Sequence, residues 1–145
     1  MNLVAIAGLA PEGKARLSLH LARHWAGRTE SCLIVDNNDQ ALDVAARQLA
    51  AYKRLAGGCV CCSLAGQLIP LVGGLQAQHL IMPVSMQAEP EALRMLLDQL
   101  GLPYRLVAYV EPQHSDRAAY LLGRLQHFAD LSLKPGEDWN AALRL

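Results

Sequence analysis

Cysteines crowd one short stretch of this chain. The run Gly57-Gly58-Cys59-Val60-Cys61-Cys62 holds three of them within four positions. A disulfide wants Cα atoms roughly 4.4–6.8 Å apart, and near-vicinal pairs reach that only with strain. The spacing therefore predicts a shared soft metal ion. Zn²⁺ takes thiolates at about 2.3 Å, usually four ligands in a tetrahedron, and the glycine pair lets the backbone turn so that three side chains converge. Three sulfurs leave one position open, as suits metal that is exchanged rather than stored. A water, a histidine or a thiol from a second copy would fill it, and the last of these makes a metal-bridged homodimer. Cys61 and Cys62 precede an expected helix with Ser63 as N-cap, whose positive end would lower their pKa values; Lys53 and Arg54 are near in sequence. Two other readings stand beside this one: Cys59 and Cys62 as buried small hydrophobes, or a reversible disulfide from Cys59 to Cys61 or Cys62.

A second constellation lies near the N-terminus. Gly8-Leu9-Ala10-Pro11-Glu12-Gly13-Lys14-Ala15 has the Gly-x4-Gly-Lys spacing of a phosphate-binding loop, between an expected strand and an expected helix. In a working loop the backbone amides and the helix N-terminus cradle phosphate, the lysine neutralises charge, and a Ser or Thr hydroxyl holds Mg²⁺. Here Ala15 has no hydroxyl, Pro11 has no N–H, and Glu12 puts negative charge where a polyphosphate would sit. The alternative is a glycine-bearing strand-to-helix turn. Asp36 and Asp39, after the second expected strand, read as solvated loop carboxylates, with a metal–nucleotide role as the other option. His20 and His24 are four apart on one helix and read as surface residues, although that spacing can bind metal. His79 precedes a strand, and His114 and His127 have no motif around them.

These residues need a frame, and the hydrophobic pattern supplies one. Short apolar runs at residues 2–7, 32–36, 80–84, 105–111 and 131–133 read as strands, with a weaker one at 52–55. Helical patterns fall at 14–25, 41–51, 63–75 (with a kink at Pro70), 90–100 and 115–128. Strands alternating with helices predict one α/β domain over residues 1–145, with a mostly parallel sheet covered on both faces. The chain is 52% apolar with zero formal net charge, so no basic stripe favours nucleic acid. No run approaches 18 apolar residues, so no membrane span is expected, and no secretory leader is evident. Cys32 stands in an apolar run and reads as an ordinary buried residue. Free thiols fit a reducing cytoplasm best.

The phosphate-loop spacing followed by Gly-Cys-x-Cys-Cys resembles the CobW/HypB/UreG family of P-loop GTPases and metallochaperones, in particular its CobW-like branch. That family's loops read Gly-Phe-Leu-Gly-x-Gly-Lys-Thr and Asn-Gly-Cys-x-Cys-Cys. Further blocks are echoed in order by residues 78–90, by Tyr109-Val110-Glu111-Pro112 and by residues 126–134. The resemblance implies a P-loop three-layer sandwich, nucleotide contacts from Gly8, Gly13, Lys14, Ala15, Asp36 and Ser85, and metal ligation by Cys59, Cys61 and Cys62. It adds Co²⁺ and Ni²⁺ to Zn²⁺, and a metalloenzyme client or homologous subunit as partner. The departures are Pro83 for the family's Glu, Met86 for its switch glycine, and Leu133 and Gly136 for the Asn and Asp of the guanine motif. They imply eroded GTP and Mg²⁺ chemistry. The expectation is thus a metallochaperone-like domain with failing nucleotide chemistry; a slow GTP- or ATP-binding NTPase and a non-catalytic regulatory or structural subunit are the alternatives.

Overall fold

The computed structural model of the chain describes residues 2–61, 64–74 and 76–145. Its strands are β1 (Asn2–Ala7), β2 (Cys32–Asp36), β3 (Ala51–Arg54), β4 (His79–Pro83), β5 (Tyr104–Tyr109) and β6 (Leu131–Leu133). Its helices are α1 (Pro11–Gly27), α2 (Asp43–Arg47), α3 (Ala65–Gly73), α4 (Pro90–Gln99), α5 (Asp116–Phe128) and α6 (Trp139–Leu143). The strands form one sheet in the order β3-β2-β4-β1-β5-β6, and every pairing is parallel. The architecture is a P-loop-type three-layer sandwich.

Alternation along the strands decides which helix goes where, because successive side chains point to opposite faces. Leu3, Ala5 and Ala7 share a core with Leu33, Leu80, Met82 and Leu106, covered by Leu68 of α3, Leu93 and Leu97 of α4, and Leu122 and Leu125 of α5. The intervening Val4 and Ile6 join Ile34, Ile81 and Val107 in a second core, covered by Leu17, Leu21 and Trp25 of α1, Ala46 of α2 and Leu143 of α6. Strands buried on both faces read as continuous apolar runs, which is why β1, β2 and β4 were legible.

Three elements differ from expectation. The helix expected over residues 41–51 is only Asp43–Arg47, because Ala51 pairs with Leu33 in the sheet and the amides of Leu49 and Ala50 both close on Ala46 O. Helix α1 starts three residues early, at Pro11, since proline fits the first helical turn. Helix α6 has too short a pattern to register in the sequence; the Asp138 side chain caps it by accepting from Ala141 N. Ser63, the expected cap of α3, lies outside the described residues, and α3 runs on through Pro70.

Leu21 is fully buried under α1. Leu21→Ala should cost about 2–5 kcal/mol, read as a lower urea midpoint at unchanged slope.

Candidate functional site

In a parallel sheet the carboxyl ends of all strands face one edge, and ligands collect there. At that edge the structure gathers residues 8–10, the segment after β2, the cysteine loop and the segment after β4. Lys14 lies on the buried face of α1 and is fully enclosed. Its Nζ donates to Val84 O at 2.7 Å and to Asp39 Oδ2 at 3.1 Å. The Asp39 carboxylate is met from β4's side as well: Ser85 Oγ donates to Oδ1 at 2.9 Å and Met86 N to Oδ2 at 3.0 Å. Three donors from two separate segments therefore close on one carboxylate.

Depth decides how the two partners titrate. Burial pulls Lys14 below the ordinary lysine value, and Asp39 only partly offsets it. Burial pushes Asp39 upward, but the Met86 N–H, the Lys14 ammonium and the Ser85 hydroxyl outweigh it, and the carboxyl titrates below its usual range. Lys14 is wholly enclosed whereas a quarter of the Asp39 side chain meets solvent, so desolvation dominates the first and donors the second.

Asp36 corrects the expectation of a solvated carboxylate. It is fully buried and accepts from Asn38 N, Leu42 N and Tyr52 OH at 2.9, 2.8 and 2.6 Å, with Arg54 Nη1 3.1 Å away. A tight Asx-type turn after a strand uses an aspartate this way. Asn37, which the sequence reading passed over, is the hub of the edge. Its Oδ1 accepts from Val60 N and Ser85 N, and its Nδ2 donates to Leu55 O and Gly58 O. The Asn37-Asn38 pair directly after the apolar run of β2 was the available signal, and once buried its amide must be satisfied.

The phosphate loop is wound shut. Only residues 8–10 separate β1 from α1, and no side chain caps α1. Tyr109 lies across the turn: a Cβ at Gly8 would fall 2.7 Å from Tyr109 O, and one at Gly13 would overlap the Tyr109 ring. Both glycines are needed for close packing on β5. Mg²⁺ does not fit. Ala15 brings no oxygen, Asp36 is consumed by four donors, and Asp39 is held by Lys14, Ser85 and Met86. Beside Asp39 a cleft of about 190 Å³ opens between Asn38, Arg54, Gly57, Ser85 and Gln87. A larger hollow of about 420 Å³, between Trp25, Glu30, His79, Arg105 and Arg144, shares no residue with this edge.

The cysteine loop departs from the expected metal grip. Gly57 and Gly58 hold φ of 94° and 148°, a region side chains rarely adopt. The turn they make places Cys59 and Cys61 Cα atoms 5.4 Å apart, and the two sulfurs are joined as a disulfide. The predicted strain does not prevent the pairing, because the glycines supply the bend. Bonded sulfurs are no longer thiolates, and ligation requires thiolates. Cys62 lies outside the described residues. Among the described residues no group of three His, Cys, Asp or Glu side chains could hold a metal ion. His20 is at 2.7 Å from Asn140 and His79 stacks on Trp25. Cys32 is buried, as expected, and burial pushes its thiol up to about 12.

No protein-family profile and no curated protein matches this chain. Solved structures do. The signal recognition particle receptor FtsY from Elizabethkingia anophelis superposes with a TM-score of 0.64 at 11% identity, over 92% of this chain and 48% of that one. Chloroplast FtsY from Physcomitrella patens gives 0.66 at 12%, over 92% and 49%. The Elizabethkingia protein in complex with GDP gives 0.61 at 10%, over 92% and 48%. The chain thus spans about half the length of these relatives in fold. They are FtsY proteins and not CobW, HypB or UreG, which overturns the family resemblance drawn from the phosphate-loop spacing and the cysteine loop. Among the described residues no helix is long and apolar enough to cross a membrane.

Two outcomes follow at this edge. Asp39 stabilises the fold above the unfolded carboxyl value of about 3.9, and that contribution is lost as pH falls through its lower folded value. Asp39→Asn should therefore flatten the acid limb of a stability–pH profile. Separately, mass spectrometry of the unreduced peptide spanning residues 59–61 should find it lighter by two hydrogens than after dithiothreitol.

Proposed function

We propose that this chain is a nucleotide-binding domain of P-loop architecture that takes the phosphates of a nucleoside di- or triphosphate at Lys14 and turns them over slowly or not at all. The observation that carries this is the position of Lys14. It stands at the lysine of a Gly-x4-Gly-Lys spacing, and its ammonium already faces an anion at the carboxyl edge of the sheet. Likeness in fold to FtsY, of which one example was solved with GDP, supports the same reading.

The residues on hand specify what kind of binding this is. Lys14 Nζ, Ser85 Oγ and Met86 N can donate to phosphate oxygens, and charge-assisted hydrogen bonds are the stronger kind. Phosphoryl transfer needs charge neutralisation by metal and a positioned nucleophile. No Mg²⁺ ligand fits here, and β4 ends in Pro83 where a carboxylate would be wanted. The cleft of about 190 Å³ is smaller than the roughly 300–1,000 Å³ typical of small-molecule sites. It accommodates phosphate groups, and the base gains little from it. Affinity should therefore be similar for GTP and ATP and insensitive to Mg²⁺.

A non-catalytic structural subunit is the second reading, favoured by the fact that Lys14 is already satisfied by Val84 O and Asp39. Calorimetry separates the two. On the first reading GTP and ATP bind the parent in the micromolar to submillimolar range with or without Mg²⁺, and Lys14→Met abolishes the heat. Affinities weaker than millimolar for every nucleotide would leave only the structural role.

A further inference from the structure

We infer that the Asp39 carboxylate is a built-in competitor for phosphate, so that the site is closed at rest and opens only to ligands carrying several phosphates. The inference rests on the nucleotide-binding reading above and adds how that site is regulated.

The geometry is that of an anion already bound. Lys14 Nζ, Ser85 Oγ and Met86 N converge on Asp39 from 2.9 to 3.1 Å, and each could meet a phosphate oxygen, with Arg54 lining the cleft beside them. Both carboxylate oxygens are engaged, one by the hydroxyl and the other by the ammonium, with the Met86 amide reaching both. The occupant is part of the chain. A group tethered by a short segment acts at an effective concentration in the millimolar range, so an incoming anion must outcompete it before any net affinity appears. A single phosphate offers one anionic group against that local competitor. A polyphosphate chain brings more charge and can hold Lys14 with one group while another displaces Asp39 from Ser85 and Met86.

The segment bearing Asp39 is built to give way at one end and stay fixed at the other. Asn37 is locked to the cysteine loop and to Ser85 N by four hydrogen bonds, and Asn38 is tied to Asp36, Pro11 and Arg54. Among the described residues Asp39 itself is held only through its carboxylate; Gln40 and Ala41 beyond it are exposed, and Leu42 N is again fixed on Asp36. Displacing the carboxylate therefore needs rotation of one side chain and a shift of residues 39–41, with the sheet left intact. The cleft of about 190 Å³ beside Asp39 is where the released side chain or a second phosphate can go. Exchange of one anion for another keeps Lys14 neutralised throughout, which a buried ammonium requires.

Tripolyphosphate, inorganic phosphate and GTP titrated calorimetrically into the parent, Asp39→Asn and Lys14→Met test this, with thermal melts confirming that each variant is folded. Asp39→Asn keeps the shape and one acceptor oxygen but removes the charge, and Asp39→Ser serves if the amide destabilises the fold. The expected result is that tripolyphosphate and GTP bind the neutral Asp39 variant about tenfold or more tighter than the parent. Inorganic phosphate should become measurable only in that variant, and Lys14→Met should bind none of them. Equal affinity in parent and variant would overturn the competitor role while leaving nucleotide binding intact. Weaker binding in the variant would overturn it too, by showing that Asp39 helps to hold the ligand. No binding by parent or variant would overturn the nucleotide-binding reading itself.

Discussion

The ammonium of Lys14 is taken wholly out of water, and the carboxyl edge of the sheet is organised by that fact. A buried charge left without a partner costs about 3–5 kcal/mol, so the chain must bring oxygen to it. Val84 O comes from the residue after β4, and Asp39 comes from the segment after β2. These two segments are thereby drawn together over the start of α1. Ser85 and Met86 follow, because Asp39 still has lone pairs to satisfy. One lysine on the inner face of one helix thus sets the positions of two loops.

Two neighbouring residues make that arrangement rigid. Asp36 is buried and spends its carboxylate on the backbone of its own turn and on Tyr52 and Arg54. Asn37 spends its amide on the cysteine loop and on Ser85. Satisfied buried polar networks specify a single arrangement, and half-satisfied ones do not. The cysteine loop consequently belongs to the same unit as the edge around Lys14, although the two motifs lie some distance apart in sequence. Its glycine pair bends the backbone enough for Cys59 and Cys61 to pair. The same bend that would bring sulfurs to a metal brings them to one another.

The likeness to FtsY at 10–12% identity is a likeness of architecture. An all-parallel sheet with a tight β1–α1 turn is reached by many sequences, because alternation on buried strands and the packing of helices on two faces determine it. Motif order along the chain suggested a different family, which these structures overturn. Chemistry has to be argued from the residues themselves, and here those residues include a carboxylate held by Lys14, Ser85 and Met86.

The leucine stripe of α1 and the continuous apolar runs of β1, β2 and β4 made the sandwich legible in the chain. The short helices α2 and α6 were not, because neighbours in space rather than local pattern delimit them. Lys14 and the substitutions at Pro11 and Ala15 stood out by spacing alone, and so did the three cysteines. What the linear order could not contain is which charge meets which. Asp36 and Asp39 are three residues apart and look alike, yet one is sealed inside its own turn and the other neutralises a lysine from a different element. Pattern along a chain fixes which faces are buried, whereas desolvated polar groups find partners only in three dimensions, and that pairing decided the site.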